Sequence, residues 1–156
     1  MRILGAVVLV VVGLVAAACG AQPATNSSSA PVADVPIGTW TMALTEEDLR
    51  AAGFTEAGAF AENTGTFTFT MAPDGTWTIA QAASQPVRWP VFRGTYTVTG
   101  PGTVEMLTSF PADYAGDSVS IQLTETTSGL AIKLLAPTDD PLLRLQFEGH
   151  VWAASP

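Results

Sequence analysis

The sequence predicts an all-β protein: an eight-stranded antiparallel up-and-down β-barrel with one short helix between strands 1 and 2. Three observations predict it. Apolar and polar residues alternate with a period of two in segment after segment, the mark of a strand with one dry face. The segments are joined by short Gly, Pro and Asp turns such as Pro73-Asp74-Gly75 and Gly100-Pro101-Gly102, which favour neighbouring strands paired antiparallel. Eight sequential strands with one dry face close most economically into a barrel, which abolishes exposed edges. A two-sheet sandwich is the other arrangement the pattern permits.

The elements follow in order. "IGTWTMAL" opens the domain as the first strand. "LTEEDLRAAGF" then carries a capping box, with Thr45 as N-cap, Asp48 three residues on, an acidic first turn and Gly53 as the stop. "GTFTFTMAPDGTWTIAQ" is a hairpin: Phe67, Phe69 and Met71 share a face, and Trp77 and Ile79 resume it after the turn. "VFRGTYTVTG" places Phe92, Tyr96 and Val98 inward, and Gly94 in mid-strand marks a bend. "TVEMLTS" contributes Val104 and Met106; "DSVSIQLTE" contributes Val119, Ile121 and Leu123; "LAIKLLA" contributes Leu130, Ile132 and Leu134. After a turn at Thr138-Asp139-Asp140-Pro141, "LLRLQFEGH" reads as the eighth strand, with Leu143, Leu145 and Phe147 inward.

Upstream, Arg2 precedes an apolar or small-residue run from Ile3 to Ala18, shorter than the ~20 residues a spanning helix needs. Its charged start, apolar middle and Ala16-Ala17-Ala18 have the form of a secretory signal. Leu14-Val15-Ala16-Ala17-Ala18-Cys19 resembles the bacterial lipoprotein box, with Ala16 where that family favours Leu. The resemblance implies cleavage before Cys19 and a diacylglycerol on its sulfur. Plain secretion with a free thiol is the alternative. "GAQPATNSSSAPVADVP" has no apolar period and reads as a tether. The expected organisation is a lipoprotein signal peptide over 1–18, a flexible tether with lipidated Cys19 over 19–36, and the barrel over 37–156. The expected location is the extracytoplasmic face of the cell membrane.

Composition excludes several classes. Against 14 Asp+Glu the chain has 6 Lys+Arg and a net charge of −8, which disfavours nucleic acid as a partner. The single cysteine precludes an internal disulfide. One histidine, His150, has no partner motif, and no Gly-x-Ser-x-Gly elbow is present, so no catalytic residue is assigned. One His and one Cys make no zinc set, and Asp113, Asp139 and Asp140 lack calcium-loop spacing. No cofactor or metal is expected.

The segments "GTWTMALTEEDLRAAGF", "AENTGTFTFTMAPDGTWTIAQ", "FRGTYTV" and "FEGHVW" resemble small lipoproteins and lipoprotein domains of actinobacteria and their relatives, some appended to solute-binding proteins. Gly38 and Trp40 form a Gly-x-Trp motif at the first strand, similar to the lipocalin-like (calycin-type) barrels. That resemblance implies Trp40 at the closed end of a cup, with Arg144 as the candidate arginine beside it. It implies an open end beneath the connection between the first two strands, where Leu49, Phe54 and Phe60 would plug or cover the mouth. The helix here follows strand one, whereas lipocalins place helices before the first and after the last strand.

A small apolar or amphipathic ligand is the expected partner, with Phe54, Phe60, Phe67, Phe69, Trp77, Phe92, Tyr96 and Met106 as candidate ligand-binding residues and Tyr96 and Arg93 as polar contacts. The same aromatics could instead fill the interior as a solid core. In that case the protein would serve as a cell-envelope accessory, meeting a transporter or solute-binding protein through exposed aromatics such as Trp89.

Overall fold

A computed structural model describes residues 35–155. The expected signal peptide over 1–18, Cys19 and most of the expected tether lie outside the described residues. The chain runs β1 (Gly38–Leu44), α1 (Glu46–Ala51), α2 (Ala57–Asn63), β2 (Gly65–Met71), β3 (Thr76–Ala82), β4 (Val91–Gly100), β5 (Thr103–Phe110), β6 (Ser118–Thr126), β7 (Gly129–Ala136), α3 (Pro141–Glu148) and β8 (Ala153–Ala154). One 3₁₀ turn, Ala112–Tyr114, joins β5 to β6.

The eight strands form one antiparallel sheet in the order β7-β6-β5-β4-β3-β2-β1-β8. Each pair from β1 to β7 is a sequential hairpin neighbour, as the alternation predicts. The sheet closes on itself almost completely. Ala153 and Ala154 pair with Thr41 and Trp40 on one side. On the other, Leu130 and Trp152 exchange both backbone bonds, at 2.8 and 2.9 Å. The result is a nearly closed up-and-down barrel.

The register puts the predicted inward residues opposite one another: Trp40 faces Phe69, Met42 faces Phe67, Phe69 faces Ile79 and Met71 faces Trp77. Thr39 and Thr70 on the outward face join hydroxyls at 3.1 Å. At the β2–β3 turn Asp74 accepts from the backbone and hydroxyl of Thr76, and Gly75 takes φ 83°. Gly94 is required for a different reason. The β4–β5 register shifts there, and a Cβ on Gly94 would stand 1.8 Å from the Leu107 carbonyl oxygen.

The capping box forms as its spacing requires. The Thr45 hydroxyl accepts from the Asp48 N–H at 3.2 Å and Asp48 accepts from the Thr45 N–H at 2.8 Å. The Thr45 hydroxyl also donates to the Asp48 carboxylate, and together with the Thr45 N–H it holds that carboxyl below its ordinary range. The connection then adds a second short helix, α2, beyond the one predicted.

The eighth strand is the main correction. The segment read as strand, "LLRLQFEGH", is mostly helical: α3 covers Pro141–Glu148, and β8 is the two residues that follow Trp152. Asp140 is the N-cap, accepting from Leu142 N at 2.8 Å and Leu143 N at 3.0 Å, with Pro141 in the first turn. Proline lacks the N–H that a helix start leaves unbonded anyway. Leu142, Leu143, Gln146 and Phe147 lie on one helical face, which overrides the Leu143-Leu145-Phe147 alternation. α3 packs on β7, and the Glu148 carboxylate accepts from Leu134 N at 3.0 Å. That N–H is one an eighth strand would otherwise have satisfied.

Candidate functional site

The barrel interior has two halves. At one end Phe69, fully buried, stacks between Trp40 and Trp152 at centroid distances of 6.1 and 5.7 Å. Met71, Leu123 and Leu130 complete this floor. The Trp40 ring folds over Gly38, where a Cβ would meet it at 3.3 Å. This is the physical content of the Gly-x-Trp motif here. Arg144 takes no part: it stands on α3, exposed, with Nε 3.3 Å from Glu148 Oε2. Trp152 instead meets the other side of Phe69.

At the other end the interior is hollow. A cavity of about 570 Å³ opens where the ends of β2–β6 meet α2, the β3–β4 loop and α3. Its deep wall is Phe67, Trp77, Met106 and Phe147, all buried. Ile79, Phe92, Val119, Leu142 and Leu143 line it higher up, half-buried. That volume and lining suit a ligand of modest size held mainly by apolar contact.

Polar groups enter at defined points. Gln81 lies on the inward face of β3, and its amide nitrogen donates to Glu62 O at 2.9 Å and Thr64 O at 3.1 Å. These bonds tie the end of α2 to the wall. Thr108 is the one buried polar residue among the described residues, and it too lines the cavity. At the rim, Arg88 donates to Asp113 at 2.8 Å and lies over the Trp89 ring at 5.0 Å. Trp89 in turn meets Phe110 edge-on at 6.3 Å.

Of the residues expected to bind ligand, the structure brings Phe67, Trp77, Phe92 and Met106 to this cavity. It does not bring Phe54, Phe60, Phe69 or Tyr96. Phe69 is the floor itself. The Tyr96 hydroxyl donates to Ala72 O at 2.7 Å, at the closed end, and burial raises its pKa above the ordinary value. Arg93 stacks outside the barrel, 5.0 Å from the Phe110 ring. Phe54 and Phe60 pack against the core, with Arg50 over the Phe60 ring at 5.0 Å. Leu49, expected at the mouth, is fully buried in the core.

The insertion between the first two strands is accordingly not the cover. It reaches the cavity only through Glu62 and Asn63. The cover is α3, through Leu142, Leu143, Gln146 and Phe147, together with the β3–β4 loop. Sequence reasoning missed these residues, although Asp140-Pro141 was a legible helix start. Trp89, expected to be exposed, is half-buried and lines the cavity.

His150 is half-buried, and its Nε2 finds no hydrogen-bond partner among the described residues. No group of three or more His, Cys, Asp or Glu side chains is placed to hold a metal among the described residues. No helix among them is long and apolar enough to cross a membrane.

Fold and cavity together define a small antiparallel barrel with a solid aromatic floor and one hollow, helix-covered end. Comparison with known proteins adds no relative: no family model, no curated protein and no solved structure matches the chain.

Proposed function

We propose that this chain is a lipid-anchored extracytoplasmic lipoprotein whose barrel holds a small apolar or amphipathic ligand, without catalysis. The observation that carries the binding reading is the cavity of about 570 Å³ walled by Phe67, Trp77, Phe92, Met106 and Phe147. Apolar surface desolvated on entry supplies about 25 cal/mol per Å² before the costs of immobilisation. The anchor rests on the sequence around Cys19 and on its likeness to the lipoprotein box.

Native mass spectrometry of the full chain, extracted from its host membrane in mild detergent, tests both parts. The expected spectrum carries a diacylglyceryl mass on Cys19 and a non-covalent small-molecule mass that denaturation removes. A chain that carries no such ligand, and that also fails to take up the neutral fluorophore N-phenyl-1-naphthylamine, would refute binding. Cys19→Ser should release the protein from membranes.

A second reading is favoured by a separate observation. Leu107, Phe110 and Tyr114 are exposed apolar side chains near the cavity end of β5. Such a patch suits contact with a transporter or solute-binding protein. Crosslinking that is lost on Leu107→Ser with Phe110→Ser, while ligand uptake persists, would favour this accessory role.

A further inference from the structure

Resting on the binding reading, we infer that the cavity selects amphipathic ligands with a cationic or hydrogen-bond-donating head and rejects carboxylate-headed ones. Glu62, Asp117 and Asp140 contribute to the lining, against a single cation, Arg88. Arg88 is committed to Asp113 and to the face of Trp89. Asp140 is partly engaged as the cap of α3. Glu62 and Asp117 have no ion-pair partner among the described residues.

Inside, the same bias holds. Both donor hydrogens of Gln81 are taken by the carbonyls of Glu62 and Thr64. What the amide can still offer is its oxygen, an acceptor. Thr108 adds a polar group to the cavity wall. It is 8 % exposed, and it sits on the inward face of β5 with Met106. Its backbone is bonded to Asp117 and Gly116, while no hydrogen bond among the described residues engages its hydroxyl. Thr108 lines the cavity, so this hydroxyl is available to a ligand group as donor or acceptor.

The walls reinforce the preference. Trp77, Trp89, Phe92 and Tyr114 present aromatic surface around the cavity, and aromatic faces attract desolvated cations. The chain's net charge of −8 adds a long-range field of the same sign. A carboxylate head would meet the Gln81 oxygen within and lie among Glu62, Asp117 and Asp140, with the one guanidinium paired to Asp113.

Three probes of equal chain length test this with the full chain: decyltrimethylammonium, decanol and decanoate, each below its micelle concentration. Binding is followed by calorimetry and by tryptophan fluorescence, since Trp77 and Trp89 line the site. Decyltrimethylammonium should bind about tenfold or more tightly than decanoate, with decanol between them and able to displace the cation. Glu62→Gln with Asp117→Asn should shrink the cation-to-carboxylate ratio to about threefold or less and leave decanol unchanged. Decanoate binding as well as the cation would overturn the selectivity and leave the binding reading standing. Cation uptake that decanol cannot displace would be surface adsorption and would overturn it too. If none of the three binds, both readings fall together.

Discussion

Replacing Glu148 by Ala should loosen the helix that stands in for the missing upper part of β8. Its carboxylate accepts from Leu134 N at 3.0 Å, on an edge of β7 that no strand covers. A hydrogen bond to a charged group contributes about 1.5–3 kcal/mol. The Glu148 side chain is 28 % exposed, so the lower end applies, about 1.5 kcal/mol. Two smaller effects oppose each other. The Arg144–Glu148 pair, one helical turn apart, adds about 0.3 kcal/mol. A negative charge in the last turn of α3 opposes the helix dipole, and its removal returns about 0.5 kcal/mol. The edge bond wins, leaving a net loss of about 1–1.5 kcal/mol. For a domain of this size that lowers Tm by about 4–6 °C. Calorimetry reads the Tm, and amide hydrogen exchange should show Leu134 losing protection while Leu123 keeps its own. Glu148→Gln, which preserves an acceptor, should recover about half the loss. A Tm change within about 1 °C, with Leu134 exchange unaltered, would refute the claim that Glu148 caps this edge.

Gly94→Ala should cost about 3 kcal/mol or more in urea unfolding, because its methyl would lie 1.8 Å from a backbone oxygen and 3.0 Å from Trp77 Nε1, neither free to retreat; a loss under about 1 kcal/mol would show that the β4 bend tolerates a side chain. Tyr96 keeps its proton more tightly folded than unfolded, so stability should be intact below its ordinary value of 10.0 and fall as pH rises past it. Tyr96→Phe should flatten that alkaline fall in denaturant titrations at graded pH, and an unchanged slope would count against the assignment. Phe69→Ala, in the sealed floor, should cost about 3–5 kcal/mol, whereas Phe92→Ala, beside an existing cavity, should cost about 1.5–2. Equal losses in equilibrium unfolding would mean the two ends of the barrel are packed alike.

Seven strands were legible because each shows one wet and one dry face, and the period-two pattern has no competing explanation in "TFTFTM" or "TVEMLTS". The capping box at Thr45 was legible for the same reason: its chemistry is local. The eighth strand was not, because "LLRLQF" has apolar residues at both two-residue and helical spacing. The choice was made by Asp140 and Pro141, which start a helix, and by β7, which offers a dry face for Phe147. Half of the expected ligand set lines the cavity, since parity along a strand says which residues point inward and not how far along the axis they sit. Phe69 and Phe67 share that parity and differ by one layer; one is floor and the other wall. Tyr96 and Phe92 share a parity on β4 too, two layers apart with Gly94 between them. Axial position depends on register and on what closes each end, which are non-local.

The helix that the alternation concealed also accounts for the cavity. Strands in a sheet lie about 4.8 Å apart, whereas a helix with its side chains is about 10 Å across. At the floor, Trp152 and the two residues of β8 bridge β7 to β1 at strand spacing, and three aromatic rings fill the narrow section. Toward the other end α3 takes the place beside β7, and the wider element holds the wall open there. Side chains of the same kind that pack solidly below cannot meet across the broader section. Space is left between Phe67 and Met106 on the strands and Leu143 and Phe147 on the helix. A helix carries its own backbone hydrogen bonds, so displacing α3 would strand only the β7 edge that Glu148 satisfies. The hollow end of the barrel is therefore also one that opens without breaking a strand pair, since displacing α3 leaves the ladders of β1–β7 intact.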